Sequence, residues 1–119
     1  MEENKKPYKT FIYIRNQEPT ETQREEIFEL LLKLIEIVRK YPVLNLVGVF
    51  IDSGVFTHQR DRLFEFSEKK AVDAIVCNAF EEICNSVNSY IKMSTLMTKG
   101  IYLYVLDCNG YLVNMNEVK

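Results

Sequence analysis

The sequence predicts an α/β domain, a three-layer sandwich in which a mostly parallel four-stranded sheet lies between helices. Four short apolar runs, at 10–14, 44–51, 74–77 and 101–106, have the β-branched and aromatic content of buried strands. Three longer stretches between them repeat apolar residues at helical spacing. Strands and helices therefore alternate, which implies right-handed βαβ crossovers with helices on both faces of the sheet. A length of 119 residues suits one domain over 1–119, with its core between about 9 and 115.

The first strand, 10–14, ends at the polar run Arg15-Asn16-Gln17. Pro19 and Thr20 then open a helix, because Thr20 with Gln23, or Thr22 with Glu25, has capping-box spacing. Its apolar face is Ile27, Leu30, Leu31, Leu34, Ile35 and Val38. It is expected to stop near Tyr41, since Pro42 cannot continue a helix and disfavours α geometry in its predecessor. The run 44–51 is apolar apart from Asn45 and Gly48, which predicts a strand covered on both faces and ended by Asp52-Ser53-Gly54.

From 58 to about 70, Leu63, Phe64 and Phe66 sit among charges, as in a short amphipathic helix. Asp73 introduces the third strand. A third helix is expected from about 80 to 98, with Phe80, Ile83, Cys84, Val87, Tyr90 and Ile91 on one side and Lys99-Gly100 as its stop. After the fourth strand, Asn109-Gly110 is a hairpin turn signal that offers a short partner at 111–115.

Composition narrows the function classes. Hydrophobic residues at 47% and charged residues at 27% exclude a disordered chain. A net charge of -2, without a cluster of basic residues, argues against broad affinity for nucleic acid. The apolar runs fall far short of the roughly 18 residues that cross a bilayer, and the first residues do not resemble a signal peptide, so a cytoplasmic protein without membrane contact is expected. Cys77, Cys84 and Cys108 form no Cys-x-x-Cys pair and lie far from the lone His58. Reduced, structural thiols are expected, with no metal and no cofactor.

In a parallel sheet of this kind, ligands bind outside the carboxyl ends of the strands. The loops there contain Tyr13-x-Arg15-x-Gln17, Asp52-Ser53-Gly54, and Asn78-Ala79-Phe80-Glu81-Glu82-Ile83-Cys84-Asn85. With these motifs in this order, the chain resembles the catalytic domain of the resolvase and invertase family of serine recombinases over roughly residues 9–108. That family's first strand ends Tyr-x-Arg-x-Ser, its second ends in Asp-x-Gly, and its third is followed by a helix beginning Asp-Arg-Leu-x-Arg. Tyr13, Arg15, Asp52 and Gly54 match, as do the run 72–76 and Gly100 before the last parallel strand. The resemblance implies a sheet order 2-1-3-4 and a bacterial or mobile-element setting.

The departures fall on the chemistry. The family's nucleophilic serine, which holds the cut DNA strand as a phosphoserine, is Gln17 here, and an amide cannot replace it. With Glu81 at the family's aspartate, the two arginines that would stabilise charge on the scissile phosphate become Glu82 and Asn85. Another family cation lies before the second helix, where Arg60 and Arg62 both stand unassigned. The family's dimerising helix and helix-turn-helix have no counterpart up to Lys119, so any DNA recognition is expected to come from this domain.

Rival chemistry is weaker on these residues. Ser53 lacks a neighbouring histidine and a Gly-x-Ser-x-Gly setting, which disfavours a hydrolase. Asp52 alone suggests a phospho-accepting receiver domain, but it follows the second strand, and the first and third are followed by Arg15-Asn16 and Asn78. Glu81 and Glu82 read better as first-turn acids facing a helix dipole than as an acid/base pair. Tyr102 and Tyr104 read better as sheet packing than as a base-stacking platform. Arg15 is expected to pair with Asp52, Glu81 or Glu82, as one cation among three carboxylates. The expectation is a catalytically silent domain acting through a protein partner or self-association. A DNA-associated accessory protein with weak DNA binding is the alternative, and a receiver-like signalling domain is another.

Overall fold

All seven residues from Thr10 to Asn16 are buried, so the first strand lies at the centre of the molecule. Because side chains alternate along a strand, Phe11 and Tyr13 enter one core and Ile12 and Ile14 the other. A computed structural model describes residues 7–16, 21–54 and 56–117. Its elements are β1 (Tyr8–Asn16), α1 (Glu21–Arg39), β2 (Leu44–Ser53), α2 (His58–Glu68), β3 (Ala74–Cys77), α3 (Phe80–Ile83), α4 (Val87–Thr98), β4 (Tyr102–Leu106) and β5 (Leu112–Asn114), with a 3₁₀ turn at Met115–Glu117. The fold is α/β, with a mostly parallel sheet.

The sheet has five strands, not four, in the order β2-β1-β3-β4-β5. The pairs β1–β2, β1–β3 and β3–β4 are parallel, and β5 pairs antiparallel with β4. The added strand is the hairpin arm. Asp107 Oδ1 accepts the N–H groups of Asn109 and Tyr111 at 2.9 Å each, and Gly110 takes a positive φ of 85°, so Asn109-Gly110 does make the turn. Tyr41 Oη then accepts the Leu112 N–H at 3.0 Å, tying β5 to the end of α1.

One core holds Ile12, Ile14, Leu34, Val38, Ala74 and Val76 under α1; the other holds Phe11, Tyr13, Leu63, Phe64, Ile83, Met93 and Leu103 under α2, α3 and α4. Each large apolar side chain fully removed from water contributes about 1.5–3 kcal/mol, so these two layers dominate the stability. Pro19, Thr20 and Gln17 lie outside the described residues.

Two expectations need correction. β2, at one edge of the sheet, is not covered on both faces: Val47 and Ile51 are 54% and 40% exposed. Gly48 interrupts the apolar run where a Cβ would come within 3.0 Å of the Phe11 ring, beside the register shift at Thr10/Phe11.

The third helix is broken in two. Ser86 Oγ accepts the Ser89 N–H at 3.2 Å while Ser89 Oγ accepts the Ser86 N–H at 3.0 Å, a capping box that starts α4 afresh after Cys84 and Asn85. The new helix buries Ser89, Met93 and Leu96, leaving Val87, Tyr90 and Ile91 exposed. Ser86→Ala should therefore lower stability by about 1 kcal/mol in urea unfolding, with an unchanged denaturant slope. Among the described residues no helix is long and apolar enough to cross a membrane.

Candidate functional site

Parallel register sets Arg15 directly beside Asp52 at the carboxyl ends of β1 and β2. Tyr13, two residues earlier on the same face of β1, donates its phenol to Asp52 Oδ2 at 2.7 Å. Asp52 is 4% exposed, and its carboxylate also accepts the Gln59 N–H on Oδ1 and the Arg60 N–H on Oδ2, both at 2.9 Å. Those two donors belong to the first turn of α2, whose own N-cap residue, Thr57, makes no side-chain cap bond. Asp52 therefore caps α2 from the neighbouring strand, placing negative charge at the positive end of the helix. Burial and the bond to Asp52 push the Tyr13 phenol well above its ordinary pKa.

Arg15 is 5% exposed, and its guanidinium is directed into the protein. Nη1 donates to the carbonyls of Gly54 and Phe56 at 2.9 Å each, Nη2 to Tyr13 Oη at 2.9 Å, and Nε to the Glu82 carbonyl at 3.3 Å. The loop between β2 and α2 can present those carbonyls because the chain turns sharply at Gly54, which has a φ of 61°. Arg15 thus joins β1 to that loop and to α3. The expected pairing is corrected in its form: among the described residues the Arg15 guanidinium makes no ion pair, reaching Asp52 through Tyr13, while the Glu82 carboxyl is met by the Arg15 backbone N–H and by the attraction of its charge.

The charge balance is also different from one cation among three carboxylates. Arg60 is 8% exposed and enters the same region, with Nη1 donating to Asn85 Oδ1 at 2.6 Å and its guanidinium 5.7 Å from the Phe64 ring centre. Glu81 is exposed and reaches the cluster only as a like charge near Glu82. Burial raises the pKa of the half-buried Glu82 carboxyl, opposed by hydrogen bonds from the Asn78 side chain and the Arg15 backbone. Two cations, Arg15 and Arg60, therefore face Asp52 and Glu82. Arg62 is exposed. Arg60 had a readable sign in the sequence: with Leu63, Phe64 and Ser67 it completes the buried helical stripe of α2.

The remaining candidates lie apart from this cluster. Ser53 is exposed on the edge strand, and His58 stacks on Phe56 with ring centres 5.8 Å apart. Tyr102 stacks on Tyr8 at 4.9 Å and packs with Tyr104 against the α1 core. Among the described residues no group of three His, Cys, Asp or Glu side chains could hold a metal ion.

Cys77 is buried, Cys84 is half-buried and Cys108 is exposed, and all three are free thiols. Burial raises the Cys77 pKa strongly and pushes Cys84 up to about 11. Because the thiolate is the reactive form, Ellman's reagent at pH 8 should titrate Cys108 rapidly in the folded protein and the other two only after unfolding. Rapid reaction of two thiols would contradict this burial. No protein-family model matches this chain, and no curated protein matches it.

Proposed function

We propose that this is a resolvase-like α/β domain that does not cleave DNA and acts through contacts with a protein partner or a second copy. One observation carries the reading: Arg15, which the resemblance would set against a scissile phosphate, donates instead to three main-chain carbonyls and a phenol. A cation stabilises a phosphoryl transition state only if its donors face the charge that develops there. Here they face Gly54, Phe56, Glu82 and Tyr13. The residues at the family's arginine positions support the same reading, since Glu82 is an acid and Asn85 accepts a hydrogen bond from Arg60. Exposed apolar side chains support a role in protein contacts: Phe28, Leu32, Val47 and Ile51 on α1 and β2, and Val87, Tyr90 and Ile91 on α4.

The test uses supercoiled and nicked duplex DNA with the natural protein and with Gln17→Ser. Neither should nick DNA or leave a covalent adduct on a denaturing gel. The variant supplies a hydroxyl but not the cations that must stabilise the departing charge. An adduct with either protein would contradict the proposal.

A further inference from the structure

One side of the β2 backbone is open: among the described residues β2 pairs with β1 alone, and no strand lies beyond it. The Gly54 N–H bonds to the Asn16 carbonyl, in step with the parallel register of β1 and β2. Backbone groups alternate along a strand, so Phe50 and Asp52 also turn theirs to β1, whereas Val49 and Ile51 turn their N–H and C=O away from the sheet. Strand edges are normally blunted by Pro, Lys or an irregularity. From Gly48 to Ser53 this edge has none of these: the register shift precedes it, and its single charge, Asp52, is buried and bonded inside the protein.

Apolar side chains flank the open edge. Phe28 and Leu31 of α1 line a hollow of about 320 Å³ with Ile51 and Ser53 at the carboxyl end of β2. A crossover helix between parallel strands runs antiparallel to both, so Leu32, one turn beyond Phe28, lies further along β2 toward Val47. Phe28, Leu32, Val47 and Ile51 are 61%, 49%, 54% and 40% exposed. At about 200 Å² for a large side chain they leave roughly 400 Å² per copy in water, about half of the ~800 Å² that each partner buries in a stable interface. The regular strand edge, roughly 20 Å long, and the polar flank of α1 make up the other half.

We propose that β2 is a dimer interface: a second copy of this chain adds its own β2 antiparallel across a two-fold axis at Phe50, joining two five-stranded sheets into one. The proposal rests on the reading that the domain acts through protein contacts, and it names the partner. In this register Val49 lies opposite Ile51 of the second copy, and the outward N–H and C=O groups of both residues are paired. Both α1 helices stay on the same face, so Phe28 and Leu32 of the two copies close over Val49 and Ile51. On the other face Phe50, already packed on Phe11 and Phe66, meets its counterpart. Symmetry supplies every contact twice, and an apolar edge without a charged side chain offers nothing that opposes its own copy.

Sedimentation equilibrium at micromolar concentration should give twice the mass of one chain. Phe28→Glu, at an exposed position that leaves the core untouched, should weaken the dimer at least about tenfold, because the substitution acts twice across the axis and sets like charges together. Ile51→Lys, the kind of charge that blunts natural edges, should do the same. Val87→Glu makes the same charge change as Phe28→Glu, but on α4, and should leave the dimer intact. Amide exchange reads the strand pairing itself: the N–H groups of Val49 and Ile51 should exchange slowly in the dimer and fast in Phe28→Glu, while that of Phe50, turned to β1, should stay slow in both. A monomer throughout this range would overturn the proposal without touching the catalytic silence that the nicking assay tests. A dimer that survives both Phe28→Glu and Ile51→Lys, or one in which the Val49 and Ile51 amides exchange freely, would put the contact elsewhere and overturn it as well.

Discussion

Asp52→Ala should lower the unfolding free energy by about 3–5 kcal/mol, a large share of the total for a domain of this size. The substitution removes the acceptor for the Tyr13 phenol and for two first-turn N–H groups of α2 at once. A donor left buried without an acceptor costs about 1–3 kcal/mol, so three such losses outweigh anything gained by removing a charge from the interior. Asp52→Asn preserves the shape and one acceptor oxygen, and should cost roughly half as much. Urea unfolding followed by far-ultraviolet circular dichroism reads both. An Asp52→Ala protein within about 1 kcal/mol of the natural one would show that the cap on α2 is dispensable.

Arg15→Ala should cost about 3 kcal/mol, by a different route. The carbonyls of Gly54, Phe56 and Glu82 would lose their donor inside the protein, and the Tyr13 oxygen would lose its second partner. Arg15→Lys should restore only a minor part, since a single ammonium cannot reach acceptors spread over the β2–α2 loop and α3. Because Tyr13 bridges Arg15 to Asp52, the two alanine substitutions should cost less together than the sum of their separate effects. Strict additivity in urea unfolding would mean that the two side chains act independently.

Much of the fold could be read in the sequence because apolar runs separated by helical stretches leave few topologies, and Ala74–Cys77 was located to the residue. The break before α4 was hidden because Val87, Tyr90 and Ile91 imitate a continued apolar stripe, whereas Ser86 and Ser89 begin a different helix with a different buried face. The exposure of β2 was hidden because its side chains are apolar on both sides, and exposure depends on what packs nearby. At the candidate site, Tyr13, Arg15 and Asp52 were legible from their places at strand ends. Their bonds were not, because they depend on carbonyls of Gly54, Phe56 and Glu82 that only the turning of the loops brings inward. Arg60 was one of two unresolved arginines until its helical phase put it inside and Arg62 outside.

Arg15 is, in this reading, a structural crosslink closed to ligands. Nuclear magnetic resonance of the arginine Nε–H groups tests that most directly, with the Arg15 signal assigned by its loss in Arg15→Lys. In the folded protein that Nε–H, bonded to the Glu82 carbonyl, should exchange slowly with water and keep its chemical shift while phosphate or a short duplex is added to saturation. A signal that exchanges freely, or that moves with the phosphate concentration, would contradict the crosslink and make Arg15 a ligand of phosphate.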